Sequence, residues 1–403
     1  MKILYVKAGL VGESSGGGLE ARKIWGGLEE LSTRRADCEA VCVSADADSP
    51  LIRSLMARSP FRDRMSRALL HSSYVYVNWR FGGLKRAMVA LEPDVVVLGN
   101  SRLGFMARWF RNHASGVQLI CHYDNVERDY VDVAWGASAG IFQRVLRKIE
   151  AFSVWRDERD AVGYAHVHLV LTQRDQMRLQ DLYGCPAGPT KVLPICLDEP
   201  EDLTRAKGSG GLHLLFVGSL WYVSNQEAVF WFLEKVWPSV LKRYPDARFT
   251  VAGRRPATDF AMQLSSEPGV RLIADFARLN DVLLEDMVMV APIRKGAGMK
   301  VKVAESLSLG MPVIASEEAL IGYDEALKDP LSQGVLFPAR SPGEYMDAID
   351  RLVGRNVEAD AHQAKRLFRS YYSRGRSDDE IEKLVLSSLS GWPAGGACIE
   401  TGD

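Results

Sequence analysis

The chain of 403 residues is too long for one ordinary hydrophobic core and suits two domains with a short extension. Apolar residues make up 47%, and 50 basic against 51 acidic side chains leave no global attraction to nucleic acid, so an electrostatic partner has to be met by a local patch. The six cysteines form no CxxC pair and no Cys/His cluster at zinc spacing, no apolar leader follows Met1, and no run of about 18 apolar residues could span a bilayer; a reducing, cytoplasmic location is expected.

From the N-terminus, short β-branched runs alternate with amphipathic segments. The first run, Ile3 to Val6, is followed by a loop from Lys7 to Gly18 that is long for a strand-to-helix turn. Its Gly16, Gly17 and Gly18 precede an amphipathic helix, where backbone amides can meet a phosphate. It has neither the Gly-Lys-Ser/Thr of a P-loop nor the Gly-x-Gly-x-x-Gly of a dinucleotide fold. After Ala40 to Val43, the pair Asp46 and Asp48 reads more simply as a polar turn than as a metal site. The segment Arg53 to Arg86 holds Arg58, Arg62, Arg64, Arg67, Arg80 and Lys85 but one acidic residue, Asp63, with Phe61, Leu69, Leu70, Trp79 and Phe81 interleaved. Such a segment either lies on an anionic membrane surface or is a solvated helical face whose apolar side packs on the sheet. Runs at Asp94 to Leu98, Gln118 to Cys121, His168 to Leu171 and Lys191 to Pro194 complete a parallel α/β series. Directly behind the third of the five later strands' sequence positions, Cys121 to Tyr130 reads CHYDNVERDY, a dense polar cluster at a strand's carboxyl end. Its plainest reading is that Asp124 or Asn125 caps the next helix and Glu127 sits in the first turn.

Linker composition follows, with Pro194, Pro200, Gly208, Gly210 and Gly211 around a charged stretch, and a boundary is expected near residue 200. A second series has strands at Leu212 to Val217, Arg248 to Ala252, Val270 to Ile273, Val288 to Ala291, Pro312 to Ala315 and Val335 to Phe337. Two such halves imply a cleft between them, lined by the carboxyl-end loops of both sheets. Within the second half, APIRKGAGMKVKVAESLSLGMPVIA (Ala291 to Ala315) is strand, glycine loop, helix and strand. Gly296 and Gly298 permit a tight turn and close approach, and the helix beginning near Met299 aims free N–H groups at the loop. Lys300 and Lys302 sit where a helix dipole disfavours cations, which a bound anion would explain. Glu305 is placed to accept from paired ribose hydroxyls. The alternative is an ordinary crossover with solvated lysines. Helical segments at Gly343 to Val353, Asp360 to Tyr372 and Ser377 to Ser388 are expected to close the second domain (201–390), leaving 391–403 as a flexible tail.

The stretch Ala291 to Ala315 resembles the donor-binding segment of GT-B glycosyltransferases of the family-4, or group 1, type, which read Gly-x-Gly, Lys, Glu-Ala and a Gly-x-Pro-Val strand. LLFVGSLWYVSNQEAVFWFLEKVWPSVLKRYPDARFTVAG is similar to that family's opening of the second domain. More weakly, VLTQRDQMRLQDLYG and SGGGLEARKIWGGLEEL resemble segments of its first domain. The resemblance covers most of Leu212 to Val353. It departs where many members carry a Glu eight positions before Glu305, here Ala297, and where phosphate-holding Arg and Lys are replaced by Ser219 and Asn225.

The resemblance implies two Rossmann-like domains facing across a cleft and transfer of a sugar from a nucleotide-diphosphate donor. The acceptor would be a glycan or lipid-linked hydroxyl, as in assembly of bacterial-type surface polysaccharide. Donor contacts are then expected from Gly17, Gly18, Gly218, Ser219, Asn225, Arg254, Gly296, Gly298, Met299, Lys300, Lys302 and Glu305, with Arg294 a further candidate. Lys302 would also stabilise the leaving diphosphate. No metal or other cofactor is expected, since fixed cations and a helix N-terminus would take its place. The cluster in the first half would supply acceptor contacts from Asn125 and Tyr130 and catalytic groups from Asp124, His122 and Glu127. Retention is favoured by the resemblance; inversion would need a general base, first Asp124 and second His122. A nucleotide-sugar epimerase and a non-catalytic sugar-nucleotide-binding protein are the alternatives.

Overall fold

The structure, a computed structural model, describes residues 1–11, 16–134, 141–200, 211–276, 282–296 and 298–389. It divides into two compact units, Met1–Cys196 with the chain from Arg374 onward, and Leu197–Ser373. The first holds a six-stranded parallel sheet of β1 (Lys2–Val6), β2 (Glu39–Val43), β3 (Val95–Leu98), β4 (Gln118–Tyr123), β5 (Val167–Val170) and β6 (Thr190–Val192), in the order β2-β1-β3-β4-β5-β6. The second holds β7 (His213–Ser219), β8 (Arg248–Arg254), β9 (Val270–Ala274), β10 (Val288–Ala291), β11 (Val313–Ala315) and β12 (Leu336–Pro338), in the order β12-β11-β10-β7-β8-β9. Each expected strand is present to within a few residues. In both orders the strand sequence reverses beside the first strand of the unit, the topology that gathers ligands at strand carboxyl ends.

The continuous apolar runs follow from burial on both faces, as in Val95–Leu98, where every residue is buried. Alternation sends Leu4, Val6, Val96, Leu98 and Leu119 to one side, against Phe105, Met106 and Phe110 of the helix Gly104–His113. Ile3, Tyr5, Val95, Val97 and Ile120 face the other side, against Ala21, Ile24 and Leu28 of the helix Gly16–Arg34.

One boundary differs from the expectation. The last helix, Arg374–Leu389, belongs to the first unit, where Ile381, Leu384 and Val385 join the core beside Ile24 and Leu28. Glycine permits this packing: a Cβ on Gly27 would come within 2.8 Å of Ile381 Cδ1, and one on Gly26 would strike the Arg374 guanidinium. The amphipathic pattern revealed a helix and its buried face but carried no sign of which sheet that face would cover. The helices Pro342–Leu352 and Val357–Tyr371 do lie in the second unit. The expected tail, 391–403, is outside the described residues.

The basic segment folds as four short helices, Pro50–Met56, Pro60–Ala68, Val75–Arg80 and Leu84–Val89, the first two capped by Ser49 and Ser59. Met56 and Trp79 enter the core, whereas Phe61 and Phe81 remain 62% and 64% exposed and Leu69 and Leu70 are also exposed. Among the described residues no helix is long and apolar enough to cross a membrane. Cys38, Cys42, Cys121 and Cys196 are free thiols.

Candidate functional site

At the carboxyl end of the first sheet, the fold buries a chain of alternating charges. Lys7, just past β1, places Nζ 2.9 Å from Asp124 Oδ2 and donates to the Gly99 carbonyl behind β3 at 3.4 Å. Asp124 Oδ1 lies 3.1 Å from His122 Nδ1, and His122 Nε2 lies 3.4 Å from Glu20 Oε2. Glu20 in turn pairs with Lys23 at 2.5 Å, one turn along the same helix, and Lys23 donates to the Pro194 carbonyl. The order is Lys7, Asp124, His122, Glu20, Lys23, all of them buried. Burial alone would raise the Asp124 carboxyl, but Lys7 and His122 outweigh it and hold Asp124 well below the usual carboxylate range. Burial would likewise push His122 down, yet the carboxylates of Asp124 and Glu20 prevail and its pKa is raised. The two carboxylates beside His122 thus favour its charged form.

The rest of the polar cluster is held differently. Glu127 accepts from Asn100 Nδ2 at 2.8 Å and from Arg102 Nε at 2.8 Å. The amides of Glu127 and Arg128, at the start of the helix Glu127–Ala134, donate to the carboxylate of Glu158 on the helix Ile141–Tyr164. Glu158 also accepts from Ser101 Oγ at 2.9 Å and Tyr183 Oη at 2.7 Å, and burial pushes its pKa up to about 7. Glu158 thus takes the amide-capping task considered for Asp124 or Asn125, and Asp124 is given over to Lys7 and His122. Glu127 is locked by Arg102 and Asn100. Asn125 and Tyr130 are half-buried nearby in the chain.

The second unit gathers another set at its carboxyl end. Lys302, in the first turn of the helix Val301–Ser308, donates to Asn225 Oδ1 at 2.9 Å, and Asn225 Nδ2 donates to the Ser219 carbonyl at 2.9 Å. A Cβ on Gly218 would lie 2.9 Å from Lys302 Nζ and from Asn225 Nδ2, so a side chain here would displace one of them. The Lys302 ammonium stands 4.2 Å from the centre of the Phe216 ring, and among the described residues no carboxylate forms an ion pair with it. Burial, then repulsion from Lys300, bring its pKa down to about 7 against the opposing pull of Glu305. Glu305, half-buried one turn on, is raised by burial and pulled back by Lys302.

The neighbouring candidates divide. Lys300 is engaged with the Gly298 carbonyl at 2.8 Å and Glu318 at 3.2 Å. Gly298 has φ +63, the left-handed conformation that favours glycine, and a Cβ on Gly296 would lie 2.9 Å from Lys300 Cε. Met299 is buried, and Ala297 is outside the described residues. Ser219 and Arg254 are in-register partners at the ends of β7 and β8, both exposed. Arg294 is exposed and lies over the Trp231 ring at 5.4 Å. Gly17 and Gly18 begin the helix that carries Glu20. Asp46 accepts from the Val11 amide and from Ser44 Oγ, as a turn residue does. Among the described residues no group of three His, Cys, Asp or Glu side chains could hold a metal ion.

Lys7, Glu20, Lys23 and Glu158 escaped the sequence reading. Glu20 could have been found: it heads the stripe of positions 20, 24, 28 and 31, otherwise Ile24, Leu28 and Leu31, so a carboxylate there had to be buried.

Residues 211–355 match the family model described as glycosyl transferases group 1. A glycosyltransferase from Rickettsia africae superposes with a TM-score of 0.62 at 11% identity, covering 97% of this chain and 99% of that one. Anabaena HepE in complex with UDP and glucose gives 0.62 at 13% identity over 96% and 100%. WaaG, a glycosyltransferase involved in lipopolysaccharide biosynthesis, gives 0.58 at 12% over 94% and 99%. An uncharacterized 44.6 kDa protein in cps region of Klebsiella pneumoniae is 27% identical over 134 residues; the match spans 28% of this chain and 34% of that protein. The fold is that of the GT-B glycosyltransferases. Within it, residues 211–355 are the part that resembles the group 1 glycosyl transferases.

Proposed function

We propose that the chain transfers a glycosyl group from a nucleoside-diphosphate sugar to an acceptor hydroxyl, with fixed cations in place of a metal. The observation that carries this reading is Lys302, a partly buried ammonium held by an amide and a ring inside the group 1 segment and without a carboxylate partner. Cleavage of a glycosyl phosphate bond leaves a diphosphate with added negative charge, and an uncompensated lysine at a helix N-terminus is suited to receive it. Glu305 would accept from the ribose hydroxyls, and Gly218, Gly296 and Gly298 would let the backbone approach the donor.

Retention is the stereochemistry we favour. Inversion needs a base with an available lone pair, but Lys7 and His122 hold Asp124 as a poorly basic carboxylate, and Asp124 and Glu20 raise the His122 pKa in favour of its charged form. Both are better suited to hydrogen-bond sugar or acceptor hydroxyls, with Asn125 and Tyr130 as further acceptor contacts, while the departing phosphate takes the acceptor proton. The location of one relative in a cps region and the part of WaaG in lipopolysaccharide biosynthesis support a role in surface glycan assembly. The exposed Phe61, Leu69, Leu70 and Phe81 among arginines would bring the first unit to the inner face of the membrane, where a lipid-linked acceptor would be met.

A panel of sugar nucleotides, with products followed by NMR, tests this. Transfer should survive EDTA and give the donor's anomeric configuration; epimerised donor, silent binding or strict dependence on a divalent ion would each displace the proposal. Sedimentation with liposomes tests the surface: binding should require anionic lipid, weaken with salt, and fall when Arg62, Arg64 and Arg67 are replaced by Glu. Equal partitioning into neutral vesicles would reject it.

A further inference from the structure

A second cationic site lies in the helical layer of the first unit. The helices Val75–Arg80, Leu84–Val89, Gly104–His113 and Ile141–Tyr164 flank an open cavity of about 420 Å³ lined by Arg80, Lys85, Arg108 and Arg156. Its lining includes one carboxylate, Asp160, which is shared between Arg108 at 3.5 Å and Arg159 at 3.7 Å. The other cations meet no carboxylate among the described residues. Lys85 stands 5.3 Å over the Trp109 ring and Arg80 5.5 Å over Phe81.

Arg156 contacts His71 Nε2. His71 Nδ1 lies 2.7 Å from Asp157 Oδ1, and a guanidinium only donates, so a lone pair on Nε2 with the proton on Nδ1 satisfies both contacts. The Asp157 carboxylate also accepts from the Ser72 amide and hydroxyl at 2.7 Å each, so its charge is engaged by His71 and Ser72. The ring faces are occupied too: Tyr76 stacks on His71 and His113 on Trp109, leaving little free aromatic face for a nucleobase. What the cavity offers is charge-assisted donors with walls of aromatic carbon.

We infer that this cavity binds a phosphate group carried on a monoester or diester, as on a sugar phosphate or a lipid headgroup. Three cations converge without counter-charge, and a tetrahedral dianion or monoanion supplies acceptors for all of them. The volume exceeds that of a bare phosphate and accommodates an attached sugar or glycerol. The inference does not depend on the proposed transfer reaction.

Calorimetric titrations with inorganic phosphate, glucose 1-phosphate and phosphatidylglycerol vesicles test it, each on the full chain and on Lys302→Ala, which removes the donor-site cation. Saturable binding should persist in Lys302→Ala and weaken about tenfold in Lys85→Gln and in Arg156→Gln, as expected for one lost charge-assisted contact. Lys85→Gln leaves the His71 and Asp157 bonds untouched and so guards against a folding defect. Loss confined to the soluble phosphates identifies a free phosphorylated ligand; loss confined to vesicles identifies a headgroup. No saturable response to any of the three, or the same affinity in Lys85→Gln and Arg156→Gln as in the parent, would overturn the inference.

Discussion

The carboxyl ends of the two sheets solve the problem of buried charge in opposite ways. At the end of the first sheet each buried charge in the five-member chain from Lys7 to Lys23 has its opposite beside it. In the second unit Lys300 is paired with Glu318, but Lys302 has an amide oxygen and a ring for company. A closed network fixes orientation; an open one keeps electrostatic energy in reserve for an anion that arrives later. On the proposed reaction, preorganisation for hydroxyl groups would fall to the first unit and readiness for a diphosphate to the second.

If this division holds, mutations at the two ends should fail in different ways. Lys302→Ala should lower kcat by roughly 10² to 10³-fold, the usual loss for one donor aimed at developing negative charge, while its melting temperature stays near that of the parent. Steady-state kinetics with calorimetry would separate the effects, and a large fall in stability would make Lys302 structural. Glu158→Ala should do the reverse, costing about 3 kcal/mol in denaturant unfolding because two amides and two hydroxyls lose their acceptor. Near-parental stability of that variant would show that water replaces the carboxylate.

Glu305→Ala should weaken donor binding by about 1.5 to 3 kcal/mol with unfolding unchanged. The pH response is smaller and sharper. With a pKa of about 7 in the free protein, Lys302 is charged below that pH and loses its charge above it, whereas a bound anion favours the charged form. Donor affinity should therefore fall as pH rises through 7, by at most about tenfold per pH unit, with proton uptake on binding at pH 8. Titration calorimetry in two buffers of different ionisation enthalpy reads that uptake, and its absence would mean that the lysine is charged throughout. In the first unit, the imidazole ¹⁵N signals of His122 should remain those of the protonated ring above pH 6.5, and Glu20→Gln should lower that transition.

The twelve strands were legible because each is a buried apolar run bounded by polar or glycine residues, and the donor segment because its glycines, lysines and glutamate are close in the chain. The first unit's network was not, because its members come from separate elements: Lys7 and Asp124 are 117 positions apart. Residue types at a strand end disclose that polar chemistry is present. They do not disclose that Glu127 is locked by Arg102 or that Glu158 supplies the helix cap. Those assignments depend on which side chains meet after folding, and the destination of the last helix was hidden for the same reason.

That last helix has a consequence for synthesis. Its Ile381, Leu384 and Val385 complete the first unit's core, yet they emerge from the ribosome only after residues 197–373. At roughly 5 to 20 residues per second, the apolar flank of the helix Gly16–Arg34 waits on the order of ten to thirty seconds for its cover. During that interval the nascent first unit displays Ile24 and Leu28 without their final neighbours and is a natural client for a chaperone, while the second unit, continuous in sequence, can finish folding first.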